Sequence, residues 1–166
     1  YALAVGTAPR KNIDRIISAV EKFRDINETN LALIITGMKS KLANKSWVFS
    51  LGYVPNNLRP ALYSGAEVLV FPSLYEGFGL PILEAFACKT PVVTSNLGSL
   101  KEVAGDAAVL VNPNKVSSIV DGLEKIIKNR KASEKYIKKG VKRVKKYGWE
   151  IVAKDTLKIY SEGKNT

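Results

Sequence analysis

A doubly wound, open α/β sheet is the fold this sequence predicts, and three observations predict it. Short runs rich in Val, Ile and Leu alternate with helical patterns along the chain, as strands joined by right-handed helical crossovers do. The runs themselves do not alternate polar with apolar, so both faces are expected to be covered, the condition of a parallel sheet. The 166 residues, 46% apolar and 25% charged, suffice for one domain with a sizeable core.

The first strand is Ala2 to Gly6, followed by a helix over Ile13 to Phe23 and a second strand over Leu31 to Gly37. The third strand is Trp47 to Val54. Its connection, Met38 to Ser46, has only nine residues, short for a crossover that usually needs a dozen or more. Either that helix is trimmed to about one turn or the third strand is misplaced. A helix over Asn57 to Ser64 leads to the fourth strand, Glu67 to Ser73. Pro81 opens the next helix, to Cys88, because its missing N–H is one that a first turn leaves unpaired anyway. The fifth strand is Pro91 to Ser95, then a short helix Leu100 to Ala104, then the sixth strand Ala107 to Val111. Three helices close the chain: Val116 to Asn129, Ala132 to Lys146, and Trp149 to Tyr160. In the middle one, Ile137, Val141 and Val144 mark one buried face. No internal repeat, low-complexity tract or interdomain linker interrupts the series.

Composition excludes several chemistries. The chain has no histidine, which removes the commonest general base, the commonest metal ligand and the serine-triad mechanisms together. Carboxylates, cations and backbone remain. The single Cys88 forms no intramolecular disulfide and falls in an apolar helical pattern, so it reads as a buried, inert thiol in a reducing compartment. No apolar run approaches the roughly 20 residues that span a bilayer, and the N-terminus lacks the basic-then-apolar order of a signal peptide. A cytoplasmic chain, soluble or held at the inner face of the membrane, is expected. The net charge of +11 is uneven: residues 1–100 carry ten Lys/Arg against seven Asp/Glu, residues 101–166 sixteen against eight. Lys125 to Lys146 holds eleven basic residues and one acid, Glu134. That stripe is either a solvated face or a contact for an anionic membrane surface. It lacks the interleaved aromatics and the reading motifs of a nucleic-acid binder.

Six strands in a doubly wound sheet most simply take the order 3-2-1-4-5-6, which sets the first strand beside the fourth at the topological switch point. The loops "GTAPRKN" and "SLYEGFGLP" then face each other across the crevice where such sheets bind ligands. With Pro81 at the helix start, the backbone N–H groups from Phe78 to Ile82 are free and positively polarised, and Gly77 and Gly79 allow close approach to the main chain. This is an anion seat. Arg10 and Lys11 supply cations that suit a diphosphate. Glu84, in the first helical turn, leans back toward the loop, and Glu76 lies just before it; two carboxylates there suit sugar hydroxyls rather than phosphate. The plainer alternatives are a helix-dipole partner for Glu84, an exposed charge for Glu76 and a solvated pair for Arg10 and Lys11. "GFGLPI" is not a dinucleotide fingerprint, since Ile82 stands at the third glycine and the loop follows the wrong strand. A glycosidase pair of carboxylates does not fit the adjacent anion seat.

The stretch "FPSLYEGFGLPILEAFACKTPVVTSN", with seven residues between Glu76 and Glu84, resembles the E-x7-E motif of the retaining, nucleotide-sugar-dependent glycosyltransferases of group 1 (family 4) type. "VGTAPRKN", "FSLGYVPNNLRPALYSGAEVLVFPS", "GSLKEVAGDAAVLVNP" and "YGWEIVAKDTLKIY" resemble further parts of the same family, so the likeness covers nearly the whole chain. It implies the GT-B architecture of two Rossmann-like domains, with residues 1–166 as the C-terminal donor-binding half, residues 149–163 as its closing helix, and the acceptor-binding N-terminal domain absent. The chain opens on Tyr1, inside a strand and without methionine, in keeping with an excised domain. The resemblance also implies roles. Glu84 would bind the donor's ribose, and Glu76 the transferred sugar. Gly77, Phe78, Gly79 and Leu80 would offer backbone to sugar and diphosphate, and Lys11 with Arg10 would neutralise the leaving diphosphate. No cofactor and no metal are expected. The implied reaction moves a hexose, of mannose or glucose type, from a nucleoside-diphosphate sugar to an acceptor glycan or glycolipid. The alternative is a non-catalytic nucleotide-binding or regulatory module of the same fold.

Overall fold

The computed structural model describes residues 1–37 and 45–162. Six parallel strands, β1 (Ala2–Val5), β2 (Leu33–Thr36), β3 (Val48–Gly52), β4 (Val68–Phe71), β5 (Val92–Ser95) and β6 (Val109–Val111), form one sheet. Their order is β3-β2-β1-β4-β5-β6, the arrangement expected from the doubly wound pattern. The third strand is therefore correctly placed. Most of its connection, residues 38–44, lies outside the described residues, so the expected one-turn helix there is not addressed.

Among the described residues seven α-helices accompany the strands: α1 (Ile13–Asn27), α2 (Arg59–Ser64), α3 (Leu80–Ala87), α4 (Gly98–Ala104), α5 (Val116–Ile127), α6 (Arg130–Val144) and α7 (Trp149–Glu162). Along β1, Ala2 and Ala4 turn to one face and Leu3 to the other; along β4, Val68 and Val70 share the first face, Leu69 and Phe71 the second. Ile16, Val20 and Phe23 of α1 with Ile119 and Leu123 of α5 cover the first face. Tyr63, Ile82, Phe86 and Leu100 from α2, α3 and α4 cover the second. Two apolar layers on one central sheet account for the non-alternating strands.

Coverage fails at one edge. Phe49 and Leu51 of β3 are 49% and 44% exposed, so among the described residues one face of this edge strand is open. The expected apolar face of α6 also needs correction: Ile137, Val141 and Val144 are half-buried, and the helix's buried residue is Gly140. A Cβ there would lie 2.5 Å from Cδ1 of Phe86, so only glycine lets α6 settle onto α3. Every residue of α7 is exposed. Cys88 is half-buried rather than buried, and desolvation raises its thiol pKa, which keeps it in the inert thiol form.

The loop after β1 is more built than its sequence suggests. Pro9–Lys11 form a 3-10 turn, and Asn12 then adopts a left-handed conformation at φ 63°, which asparagine tolerates better than most residues. Its side-chain Nδ2 donates to the carbonyls of Pro72 (3.1 Å) and Pro113 (2.7 Å), and the residue is buried. One amide thus joins the ends of β1, β4 and β6. Asn12→Ala is expected to lower the unfolding free energy by about 2 kcal/mol, read as a lower urea midpoint at unchanged slope. A loss of only a few tenths would mean that water satisfies both carbonyls.

Candidate functional site

β1 and β4 are neighbours because no crossover separates them on that side, so their following loops meet over the C-terminal edge of the sheet. The Leu74 N–H donates to the Arg10 carbonyl at 2.8 Å. Side chains meet there too. The Lys11 ammonium lies 2.7 Å from Glu76 Oε1, and Arg10 Nε 3.6 Å from Oε2. The Lys11 contact is off the line of a hydrogen bond, so Oε1 is buried with a charge partner and no hydrogen bond. Lys11 and Glu76 are 12% and 11% exposed, which makes their attraction much stronger than that of a surface pair. The lysine is held from both sides: its ammonium sits 4.5 Å over the Phe71 ring, and its stem packs on Gly6, where a Cβ would come 2.8 Å from Cε. Ser99 Oγ donates to the Glu76 carbonyl at 2.6 Å and fixes the loop against α4.

The anion seat is narrower than expected. Gly79 caps α3 at φ 111°, a conformation that glycine adopts at least cost, and a Cβ would strike Leu100 Cδ2 at 2.8 Å. Gly77 borders open space. The Ile82 N–H is taken by the Gly79 carbonyl at 2.9 Å, and Pro81 has none. The N–H groups of Phe78, Gly79 and Leu80 have no partner among the described residues, so three donors rather than the whole Phe78–Ile82 run form the helix terminus. Phe78 and Leu80 are 43% and 54% exposed.

Glu84 also differs from expectation. Because α3 begins at Leu80, no acid lies in its first turn, and the dipole argument for Glu84 weakens accordingly. Its carboxylate is held instead by α2: the Tyr63 hydroxyl donates to Oε2 at 2.5 Å, and Arg59 Nη1 is 3.7 Å from Oε1. Tyr63 is 3% exposed; burial first, then its bond to Glu84, pushes its phenol well above the ordinary range. The neutral phenol is favoured by folding, so this contribution to stability is complete below pH ~10 and is lost as the pH rises above it. Tyr63→Phe is expected to flatten the alkaline fall in melting temperature above that pH. An unchanged profile would show that other groups govern it.

A cleft of about 300 Å³ runs beside Glu84 and the start of α3, lined among others by Gly6, Gly37, Tyr53, Arg59, Leu80 and Glu84, but not by Arg10, Lys11 or Glu76. It reaches from the switch point across β2 to the end of β3, further than the two loops alone suggest. Arg59, Tyr63 and Tyr53 were not among the expected site residues. The available signal was "LRPALY" opening a helix just past the third strand, on the same edge of the sheet. Arg10, Lys11 and Glu76 come together; Glu84 stands apart, facing the cleft with Arg59.

A family model described as "Glycosyl transferases group 1" matches residues 1–143. The chain belongs to the group 1 glycosyltransferases. "O-antigen chain mannosyltransferase B" of Escherichia coli is 36% identical over 172 residues, which cover 96% of this chain and 45% of that protein. "MMP alpha-(1->4)-mannosyltransferase" of Mycolicibacterium hassiacum is 31% identical over 173 residues, 97% of this chain and 42% of that protein. This glycosyltransferase chain thus spans less than half the length of these curated relatives. Among solved structures, a point mutant of S. aureus TarM in complex with Fondaparinux, alpha-GlcNAc-glycerol and UDP superposes with a TM-score of 0.84 at 21% identity, over 96% of this chain and 35% of that one. The C-terminal domain of the group 1 family protein LpcC from Francisella tularensis does so with a TM-score of 0.76 at 23% identity, over 89% and 85% of the two chains. The family read from the E-x7-E stretch and the Rossmann-like sheet of GT-B glycosyltransferases are both borne out.

Proposed function

We propose that these residues form the donor-binding domain of a retaining hexosyltransferase that takes a nucleoside-diphosphate sugar. The observation that carries the reading is the convergence of two cations, Arg10 and Lys11, on one nearly buried carboxylate, Glu76, beside the α3 terminus. In transfer, the bond from the anomeric carbon to the diphosphate breaks and one to the acceptor hydroxyl forms with the same configuration. The hydroxyl proton leaves with the products. Lys11 and Arg10 neutralise the charge that develops on the diphosphate, aided by the N–H groups of Phe78, Gly79 and Leu80. Glu76, released from its cations, accepts hydrogen bonds from the transferred sugar, while Glu84 accepts those of the ribose. This scheme needs no metal ion. The mannosyltransferase names of the relatives favour a mannose-type donor, and the UDP in the TarM complex favours a nucleoside diphosphate. The acceptor, a glycan or glycolipid, is bound in part by residues beyond these 166, on the cytoplasmic side of a membrane that the protein touches peripherally.

A calorimetric panel of UDP, GDP, ADP and their sugars tests the donor reading on the 166-residue chain. At least one diphosphate is expected to bind, and sugar transfer by this chain alone is expected to be undetectable. Binding of none would overturn the reading.

A further inference from the structure

Lys131, Lys135, Lys138, Lys142 and Lys145 recur along α6 and its C-cap at intervals of four, three, four and three residues, the spacing that returns to one face of a helix. All five are exposed, while Gly140 on the opposite side packs against Phe86. At 1.5 Å per residue the row runs for roughly 21 Å. The nearby carboxylates are committed elsewhere: Glu134 to Arg130 at 3.1 Å, and Asp106 to Lys139 at 2.7 Å. Among the described residues none of the five lysines makes an ion pair. Each successive pair is a like-charge i,i+3 or i,i+4 neighbour, an arrangement that weakens a helix. An ordinary solvated face mixes the two signs evenly; this one carries a single acid, Glu134, at its margin, and that acid is paired with Arg130.

We propose that the lysine row of α6 is a docking face for an anionic lipid bilayer. The straight row on one side of a rigid helix meets a plane of phosphates, and four to eight basic residues so arranged suit such a surface. Lysine, a point charge without orientational demand, fits mobile headgroups. The forked arginines that recognise phosphate in fixed geometry point elsewhere: Arg130 to Glu134, and Arg143 to the carbonyls of Val103 (2.5 Å) and Glu102 at the end of α4. The one aromatic residue of α6, Tyr136, is half-buried against the core and off the row, so no ring stands among the lysines to stack a base. The inference deepens the peripheral contact proposed above, and its assay is independent of nucleotide binding.

Co-sedimentation of the 166-residue chain with phosphatidylcholine vesicles, and with vesicles also containing phosphatidylglycerol, tests it. Binding is expected only to the anionic vesicles and is expected to weaken as salt is added. Replacing all five lysines by glutamine should lower partitioning by up to about three thousandfold, since each basic residue near the surface contributes about fivefold. A control with glutamine at Lys22, Lys89, Lys101, Lys115 and Lys154 has the same net charge and should retain most of the binding. The row variant should melt no lower than the parent, because like-charge neighbours are removed, and should bind nucleoside diphosphate unchanged. Equal losses in row variant and control, no sedimentation with anionic vesicles at low salt, or tighter binding to single-stranded RNA than to those vesicles would each overturn the proposal.

Discussion

Glu76→Gln is expected to lower turnover of the transferase carrying this domain about a hundredfold, in line with the loss of one preorganised polar contact in a transition state, and at the same time to tighten nucleoside diphosphate binding several-fold. The two effects have opposite signs because Glu76 neutralises Lys11 and Arg10 in the free site. A neutral glutamine leaves both cations uncompensated for an incoming diphosphate, while the transferred sugar loses its charged acceptor. Glu84→Gln should instead weaken nucleoside diphosphate and nucleotide sugar alike, by roughly 1 to 2 kcal/mol, because the ribose is common to both. Circular dichroism must show both variants folded, Glu84 being tied to Tyr63 of α2. Calorimetry and steady-state kinetics then separate them. The assignment fails if Glu76→Gln costs as much diphosphate affinity as Glu84→Gln.

Phe86→Ala should destabilise the domain by about 3 to 5 kcal/mol, as removal of a fully buried ring does. Phe86 is 1% exposed and lies between the sheet and α6. Its partner gives a sharper test. Gly140→Ala alone should destabilise, although alanine favours helix over glycine by about 1 kcal/mol, because the added methyl meets the ring of Phe86. In the Phe86→Ala background the same change should stabilise. Urea unfolding of the four proteins in a double-mutant cycle reads this change of sign; simple additivity would show that α6 does not rest on that ring.

The sheet order was legible because chain connectivity and strand count leave few doubly wound arrangements, and it brought Lys11, Arg10 and Glu76 to one place. That they pair with each other was not legible, since sequence spacing gives the meeting of loops but not the direction of side chains. Tyr63 and Arg59 escaped notice because their contact with Glu84 depends on how α2 lies on α3, a packing relation between helices of low sequence regularity. The face of β3 left open among the described residues belongs to the edge of the sheet, where the rule for covered strands ceases to apply. Gly140 was hidden behind its neighbours: Ile137, Val141 and Val144 read as the contact face, whereas close approach of two helices selects the smallest residue.

Asn12 has a consequence for how a ligand is received. Because its one amide holds the ends of β1, β4 and β6 together, the loop bearing Arg10 and Lys11 and the loop bearing Glu76 cannot swing apart independently. Their relative position is ordered when the chain folds rather than when a donor arrives. On the proposed donor reading, binding then forfeits little loop entropy, and discrimination between donors falls to exposed or half-exposed side chains at the rim of a fixed seat, such as Tyr53 and Arg59.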